Sequence, residues 1–209
     1  MTTHSVITIR QAGPAEAILA AKLMHLSMGD LAHFLSGKPN NDATDKILAD
    51  LFVKEDGRFS HRFASIAEVD RQAAGLLLAY PSSNLLALDL VTGRHLLTIY
   101  GLMGMLRLIS RSLPLAAGRE AGRGEYYISN LAVLPPFQRQ NVGTRLLAQA
   151  EKDARAAGLP KCSLAVDLHN HDAIRLYERS GYHIVYTKRL HPQHIFGGDG
   201  YHCMVKHLS

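Results

Sequence analysis

The sequence is poor in cysteine, and this scarcity excludes a protein held together by many disulfides. Among its 209 residues are only Cys162 and Cys203, which have no metal-ligand spacing and lie in apolar, strand-like segments. Two such cysteines are typical of buried, reduced thiols in a protein of the cytoplasm rather than of a disulfide-rich scaffold. The first residues also lack the basic stretch and apolar stretch of a secretory signal. We therefore expect a cytoplasmic protein.

Long apolar runs and metal-binding motifs are also missing. The longest charge-free apolar segment, residues 96–106, has eleven residues, whereas a membrane-crossing helix needs about 20. It is better explained as a buried helix or a lid helix, and no membrane partner is expected. None of the twelve histidines forms an HExxH pair, so no metal is predicted.

The charge is moderately basic, with a formal net charge of +5 and an isoelectric point near 9.3. The basic residues are spread along the chain and are not interleaved with aromatic residues in a stripe, so a nucleic-acid partner is not predicted. A modest positive field also suits a ligand that carries phosphates. Charge alone does not choose between these ligands.

The pattern of apolar residues predicts one α+β domain over residues 1–209. A polar turn at residues 70–72 joins two antiparallel strands, and a helical insertion occupies about residues 85–122, with two short helices forming a cap. Residues 125–167 read as strand, helix and parallel strand, because the connection is long enough for a crossover. The prediction is a mostly antiparallel mixed sheet with one parallel pair, flanked by helices.

A polar loop joins the first strand of this parallel pair to its helix. The first amides of a helix have no internal hydrogen-bond partners, and the helix dipole places partial positive charge there. Gly143, a small residue near the helix start, lets an anion approach the backbone. The segment therefore suits a pyrophosphate, although a plain strand-to-helix turn would have the same pattern.

Two motifs in this half of the chain resemble those of the GNAT family of acyl-CoA N-acyltransferases. The loop from Gln138 to Gly143 resembles Q/R-x-x-G-x-G/A, with Asn141 in place of the first glycine. Residues 170–182 resemble the second motif, N-x-x-A-x-x-L-Y-E-x-x-G-F/Y. Asn tolerates left-handed backbone better than other non-glycine residues and is a good helix N-cap, so we expect the loop to be kept, with weaker coenzyme A binding.

The resemblance implies a GNAT-like fold in which the parallel strands separate and acetyl-CoA enters the gap as the cosubstrate. In the family, pantetheine pairs with the backbone of the first parallel strand as an added strand would, and the loop amides take the pyrophosphate. The cofactor-binding residues implied are Leu131, Ala132, Val133, Gln138, Arg139, Gln140, Asn141, Val142, Gly143, Thr144, Asn170, Ala173 and Tyr177.

The resemblance also implies catalytic roles. Tyr177 matches the family tyrosine that protonates the departing thiolate, because a phenol is protonated at neutral pH. Glu125 is the candidate base, acting through water, with a solvated charge at the strand end as the alternative. Ser129 and Asn130 are candidates for contacting the acceptor. His169 and His171 flank Asn170, and chance placement explains them better than a role in catalysis.

The predicted function is transfer of an acetyl group from acetyl-CoA to a primary amine of a small molecule, peptide or protein. A different acyl donor, an alcohol acceptor and a non-catalytic acyl-CoA sensor remain as alternatives, and a nucleic-acid-binding protein rests on the isoelectric point alone. The acceptor should be selected by the segments without motifs, residues 31–54, 85–122 and 190–200. Exposed edges of the final strands make a homodimer a further expectation.

Overall fold

The structure is a computed structural model that describes residues 5–29, 31–33, 40–116 (side chains to residue 110), 121–189 and 200–208. The predicted glycine-rich loop at residues 197–200 lies outside the described residues except for Gly200. Parts of all three segments that were predicted to select the acceptor, residues 31–54, 85–122 and 190–200, also fall outside them.

Seven strands form one mixed sheet, in the order β1-β2-β3-β4-β5-β7-β6. Neighbours pair antiparallel except β4 and β5, which are parallel, as predicted. The strands are β1 (Ile7–Gln11), β2 (Ala64–Val69), β3 (Gln72–Pro81), β4 (Glu125–Val133), β5 (Lys161–Asp167), β6 (His183–Arg189) and β7 (Gly200–His207).

Helices cover both faces of the sheet, and each face has its own apolar core. The helices are α1 (Ala17–Met28), α2 (Asn41–Phe52), α3 (Leu85–Ala116), α4 (Val142–Ala156) and α5 (His171–Arg179). On the α1–α2 face, Met24 and Phe52 pack with Leu78. On the α4–α5 face, Leu146 and Tyr177 pack with Ile128.

The turn between β2 and β3 shows how local sequence determines the backbone. Asp70 and Arg71 both have positive φ, 49° and 66°, which is the combination that a tight two-residue hairpin requires. Asp70 also accepts a hydrogen bond from the amide of Val6 through Oδ1, at 3.0 Å. The predicted hairpin therefore forms, and it is tied to the first strand.

The insertion α3 folds back on itself at Gly101, where φ is 65° and ψ is 178°. Met105 Cε lies 3.7 Å from where a Cβ on Gly93 would sit, although twelve residues of straight helix would separate the two by about 18 Å. The insertion is therefore two short helices, as predicted.

Exposed apolar side chains are frequent on the outer side of α3, including Leu86, Leu90 and Leu102. By length and composition, the segment Ser82–Ser110 could cross a membrane, and 11% of the apolar 18-residue window within it is buried. The apolar segment is thus longer than the eleven residues read from the sequence. However, the break at Gly101 leaves each half shorter than the ~20 residues that a spanning helix needs.

Candidate active site

A β-bulge in β4 marks the point where the two parallel strands separate. Leu78 of β3 pairs with Asn130 and Ala79 pairs with Ile128, so Ser129 is an extra residue in β4. The last pair between β4 and β5 is Ile128 with Leu164. Bulges bend a strand and end regular pairing. A gap therefore opens between the second half of β4 and the end of β5.

The bulge also determines which backbone groups of β4 face this gap. Leu134 donates its amide hydrogen to Ala74 of β3 at 2.8 Å, and backbone groups alternate in direction along a strand. The amides of Leu131 and Val133 therefore point into the gap. The backbone of Ala132 points the other way, since its carbonyl oxygen lies 2.7 Å from where a Cβ on Gly75 would sit.

Gln138 holds the exit from β4 in place. Its side-chain Nε2 donates to the carbonyl oxygen of Val133 at 3.1 Å, and its amide donates to Pro135 at 3.3 Å. Gln140 donates through Nε2 to the carbonyl oxygen of Pro136 at 2.9 Å. Gln138 and Gln140, both predicted to bind the cofactor, thus use their side chains to hold the loop. The backbone amides that follow them are free to bind a ligand.

The loop before α4 has two residues in the left-handed region, Arg139 with φ of 61° and Asn141 with φ of 66°. Asn141 therefore adopts the conformation for which a glycine is usual. Its carbonyl oxygen accepts the Arg145 amide hydrogen at 3.0 Å, so it begins the helix. The substitution in the motif leaves the loop geometry intact.

The amides at the start of α4 form an open group of donors. In the described parts of the chain, the amides of Gln140, Asn141, Val142, Gly143 and Thr144 have no hydrogen-bond acceptor at bonding distance. Helix starts with free amides and a favourable dipole bind anions. This site follows β4 directly, so it lies at the same end of the sheet as the gap.

Gly143 lies where α4 packs against α5. A Cβ at this position would lie 2.9 Å from Leu176 Cδ2 in α5, which is closer than side chains pack. The glycine allows α4 and α5 to approach each other. The expectation that its small size also lets an anion approach the backbone stays a prediction.

Tyr177 lies on α5 in the core of the α4–α5 face and is 7% exposed. Burial raises the pKa of its phenol to about 12, and no charged neighbour contributes. Its ring packs against Tyr182 with the centroids 6.1 Å apart. A buried phenol of this pKa keeps its proton throughout the neutral range, as a proton donor to a thiolate requires.

Asn170 and Ala173 begin α5 as a capping pair. The side-chain Oδ1 of Asn170 accepts the Ala173 amide hydrogen at 3.1 Å. This is the ordinary geometry of a helix N-cap. The cap fixes the start of the helix that carries Tyr177.

Glu125 lies at the other end of β4 from the free amides. Its carboxylate accepts the amide hydrogen of Gly122, and its own amide donates to Ser82 Oγ at 3.3 Å. At about 3.3 Å per residue, the backbone of Glu125 is about 20 Å from that of Leu131. The structure therefore places this carboxylate in the turn that precedes β4, away from the gap.

Asn130 instead occupies the bulge and links β4 to α1. It is 5% exposed, donates through Nδ2 to Ser27 Oγ at 2.6 Å, and accepts from Ser129 Oγ at 3.2 Å. Ser27 in turn donates to the carbonyl oxygen of Met24 at 2.9 Å. The sequence pointed to Asn130 and Ser129, but it gave no signal for Ser27, which is 103 residues away.

A second polar pair that the sequence did not indicate joins α1 to α2. His25 Nδ1 lies 2.5 Å from Asp45 Oδ1, and His25 Nε2 lies 3.3 Å from His33 Nε2. Both side chains of the close pair are mostly buried, at 15% and 23% exposure. In the described parts of the chain, no group of His, Cys, Asp and Glu is placed to hold a metal ion.

The sequence and the fold match those of known acetyltransferases. A sequence model described as the Acetyltransferase (GNAT) family matches residues 42–182, about two thirds of the chain. The chain belongs to the acetyltransferase (GNAT) family. The predicted family, fold class and enzyme class, a transferase, are thereby confirmed.

Individual relatives agree with this membership. The chain is 44% identical over 66 residues to an aminoalkylphosphonate N-acetyltransferase from Salmonella typhimurium, and the match covers 30% of this chain and 43% of that protein. The chain thus spans less than half the length of this curated relative. An N-acetyltransferase structure from Staphylococcus aureus Mu50 is similar over 95% of this chain and 99% of that one, with a TM-score of 0.73 and 22% identity.

A PaiA N-acetyltransferase structure from Thermoplasma acidophilum, in complex with coenzyme A, also shares this GNAT fold. The match covers 97% of this chain and 99% of the PaiA chain, with a TM-score of 0.54 and 13% identity. At such identity the likeness concerns the fold. The bulge, the gap and the free amides described above are observed in the structure of this chain itself.

Proposed function

We propose that this GNAT protein transfers an acetyl group from acetyl-CoA to a primary amine. One observation carries the proposal: an open strand edge and an open helix start lie at the same end of the sheet, joined by one loop. The amides of Leu131 and Val133 face the gap, and those of residues 140–144 face outward at the start of α4. Both suit a long, extended ligand that ends in phosphates.

Acetyl-CoA fits these two groups of donors. Its pantetheine arm is an amide chain that the free edge of β4 would bind in the manner of an added strand. Its diphosphate would be held by the amides that open α4. The coenzyme A complex of the PaiA relative supports this choice of cosubstrate.

Groups of this chain can assist the chemical steps of acetyl transfer. Acetyl-CoA supplies the acetyl group as a thioester. A bond forms between the acceptor nitrogen and the acyl carbon, the carbon–sulfur bond breaks, and the nitrogen loses a proton to water. A backbone amide of β4 would stabilise the charge that develops on the acyl oxygen, and Tyr177 would return a proton to the thiolate sulfur.

The acceptor must be a neutral amine for this attack. A lysine-like amine is deprotonated in only about one molecule in 2,500 at pH 7, so a less basic amine or a group that accepts the proton is needed. The match to an aminoalkylphosphonate N-acetyltransferase supports a small amine as acceptor.

Release of free thiol from acetyl-CoA tests the proposal directly. The purified chain is mixed with acetyl-CoA and a panel of amines that includes alkylamines, aminoalkylphosphonates and peptide amines. Amine-dependent thiol release with formation of the N-acetyl product is expected. Saturable acetyl-CoA binding without turnover of any amine would instead support the non-catalytic sensor.

We also propose that β6 pairs with a second copy of the chain. It is an edge strand of the sheet, and Ile184 and Val185 are 42% and 51% exposed. Exposed apolar edges of this kind promote pairing. Sedimentation should show a dimer that Val185→Lys weakens, and a monomeric wild type at high concentration would contradict the proposal.

A further inference from the structure

A cavity of about 400 Å³ lies between α2 and the two halves of α3. Its wall is mainly apolar: Leu48 and Leu51 come from α2, Leu96 and Met105 from the two halves of α3, and Phe59 from the segment before β2. Cavities that bind small molecules have volumes of about 300–1,000 Å³ and are mostly apolar. The size and lining of this cavity therefore suit a small organic group.

The charged residues in the wall of the cavity neutralise each other. Among the described lining residues the charged ones are Arg58 and Asp89, which bind each other with Arg58 Nη1 at 3.1 Å from Asp89 Oδ1. Arg58 also donates through Nε to the hydroxyl of Tyr80 at 2.9 Å. A strongly anionic ligand would have to break this pairing, whereas an alkyl or aryl group would not.

Some residues that line the cavity are sequence neighbours of residues with polar contacts to β4 or between α1 and α2. Met28 and Thr44 are among the lining residues. Ser27, the neighbour of Met28, binds Asn130 at the bulge of β4, and Asp45, the neighbour of Thr44, binds His25. Met28 is therefore one residue along α1 from the contact with the bulge of β4.

We propose that this cavity binds the apolar tail of the acceptor, so that the preferred substrates are primary amines with an alkyl or arylalkyl chain. The amino group lies at the Met28 end, toward Asn130, and the tail lies between α2 and α3. This inference rests on the proposed function for its chemistry. Binding of the tail alone does not depend on it.

The expected preference is large enough to measure. Each methylene that becomes buried improves binding about fourfold. Hexylamine, with three more methylenes than propylamine, should therefore bind roughly 50-fold more tightly.

Gly93→Leu provides a variant that fills the cavity. Gly93 lines the cavity, and Met105 Cε at 3.7 Å is the nearest atom to a Cβ built on it, so a leucine side chain has room to enter. Replacing a helical glycine by leucine also favours the helix, so the variant is expected to fold. Ala87→Leu is the matched control, because it also introduces a leucine side chain, at an exposed position of the same helix.

Calorimetric titration of the wild type and both variants with hexylamine and propylamine tests the inference without any acyl donor. The wild type and Ala87→Leu should prefer hexylamine, and Gly93→Leu should lose most of that preference while it still binds acetyl-CoA. Thermal unfolding confirms that Gly93→Leu is folded. Equal binding of the two amines to the wild type, or unchanged hexylamine binding to Gly93→Leu, would overturn the inference.

Turnover distinguishes this inference from the proposed function. If propylamine is acetylated but hexylamine binds no better, the cavity assignment is wrong and the proposed function stands. If hexylamine binds in the cavity but no amine is acetylated, the cavity assignment stands and the proposed function is wrong.

Discussion

The two faces of the sheet are built in different ways. On the α4–α5 face, the proposed donor groups come from two short segments, residues 131–144 and 170–177, each of which forms a strand end or a helix start by itself. On the α1–α2 face, the polar pairs come together over long separations: Asn130 and Ser27 are 103 residues apart, and His25 and Asp45 are 20 apart.

This difference suggests that one face binds the cosubstrate and the other selects the acceptor. A face built from local backbone geometry can hold one unchanging ligand, since amides at a helix start need no particular side chains. A face built from side chains on separate helices can vary with the acceptor while the other face stays the same. Four predictions test this division, and they are ordered by the size of the expected effect.

Removal of the Tyr177 hydroxyl should have the largest effect on catalysis. Tyr177→Phe should lower kcat by roughly 100-fold, since general acid catalysis contributes at least that much, with acetyl-CoA affinity nearly unchanged. Steady-state kinetics and calorimetry measure the two quantities.

Tyr182→Phe is the matched control, because Tyr182 is the neighbouring buried tyrosine, with its ring centroid 6.1 Å from that of Tyr177. Its kcat should stay within about threefold of the wild-type value. Equal activity of Tyr177→Phe and the wild type would remove Tyr177 as the acid.

A β-branched residue at position 141 should weaken binding of the cosubstrate. Asn141→Val forces valine into the left-handed region, which costs about 1–2 kcal/mol, so the Kd for acetyl-CoA should rise about tenfold. Asn141→Gly is the control and should bind at least as well as the wild type, because glycine adopts this conformation freely. Unchanged affinity in Asn141→Val would show that the loop geometry does not matter for the ligand.

The raised pKa of Tyr177 should appear in the stability of the protein at high pH. A phenol with a pKa of about 12 when folded and about 10 when unfolded contributes stability below pH 10 and loses it as the pH rises toward 12. Between pH 9 and 11 the wild type should therefore lose about 1 kcal/mol more than Tyr177→Phe does.

Urea unfolding at a series of pH values measures this difference. A parallel loss of stability in the two proteins would show that the phenol is not buried as described.

Glu125 should matter for stability rather than for catalysis. Glu125→Gln weakens the bond to the Gly122 amide, which should reduce the free energy of unfolding by about 1 kcal/mol. Its turnover rate should stay within about threefold of the wild-type rate, since the carboxylate lies at the opposite end of β4 from the free amides. If turnover instead slowed by about 100-fold while stability stayed normal, Glu125 would be restored as the base.

The sequence predicts the α4–α5 face well because the physical causes there are local. The free amides follow from where the helix starts, Asn141 accepts the left-handed conformation, and the two motifs mark the loop and Tyr177. The elements of the sheet and the fold-back of the insertion near Gly101 follow from turn residues and apolar periodicity. These parts of the prediction depend on residues close together in the chain.

The sequence does not predict the features that depend on contacts between residues far apart in the chain. The extra residue Ser129 is visible only when β4 is aligned with β3, and that bulge determines that Ala132 faces β3 and not the gap. The position of Glu125 depends on where the parallel strands separate, three residues later at Ile128. The cavity forms because α2 packs against both halves of α3, and no sequence motif indicates this packing.

Amide hydrogen exchange measured residue by residue by NMR, with and without saturating acetyl-CoA, tests the central claim most directly. Binding should slow exchange at Leu131 and Val133 and at residues 140–144, while the amides of α1 and α2 change little. If acetyl-CoA bound without protecting the start of α4, or protected only the α1–α2 face, the assignment of the two faces would be contradicted.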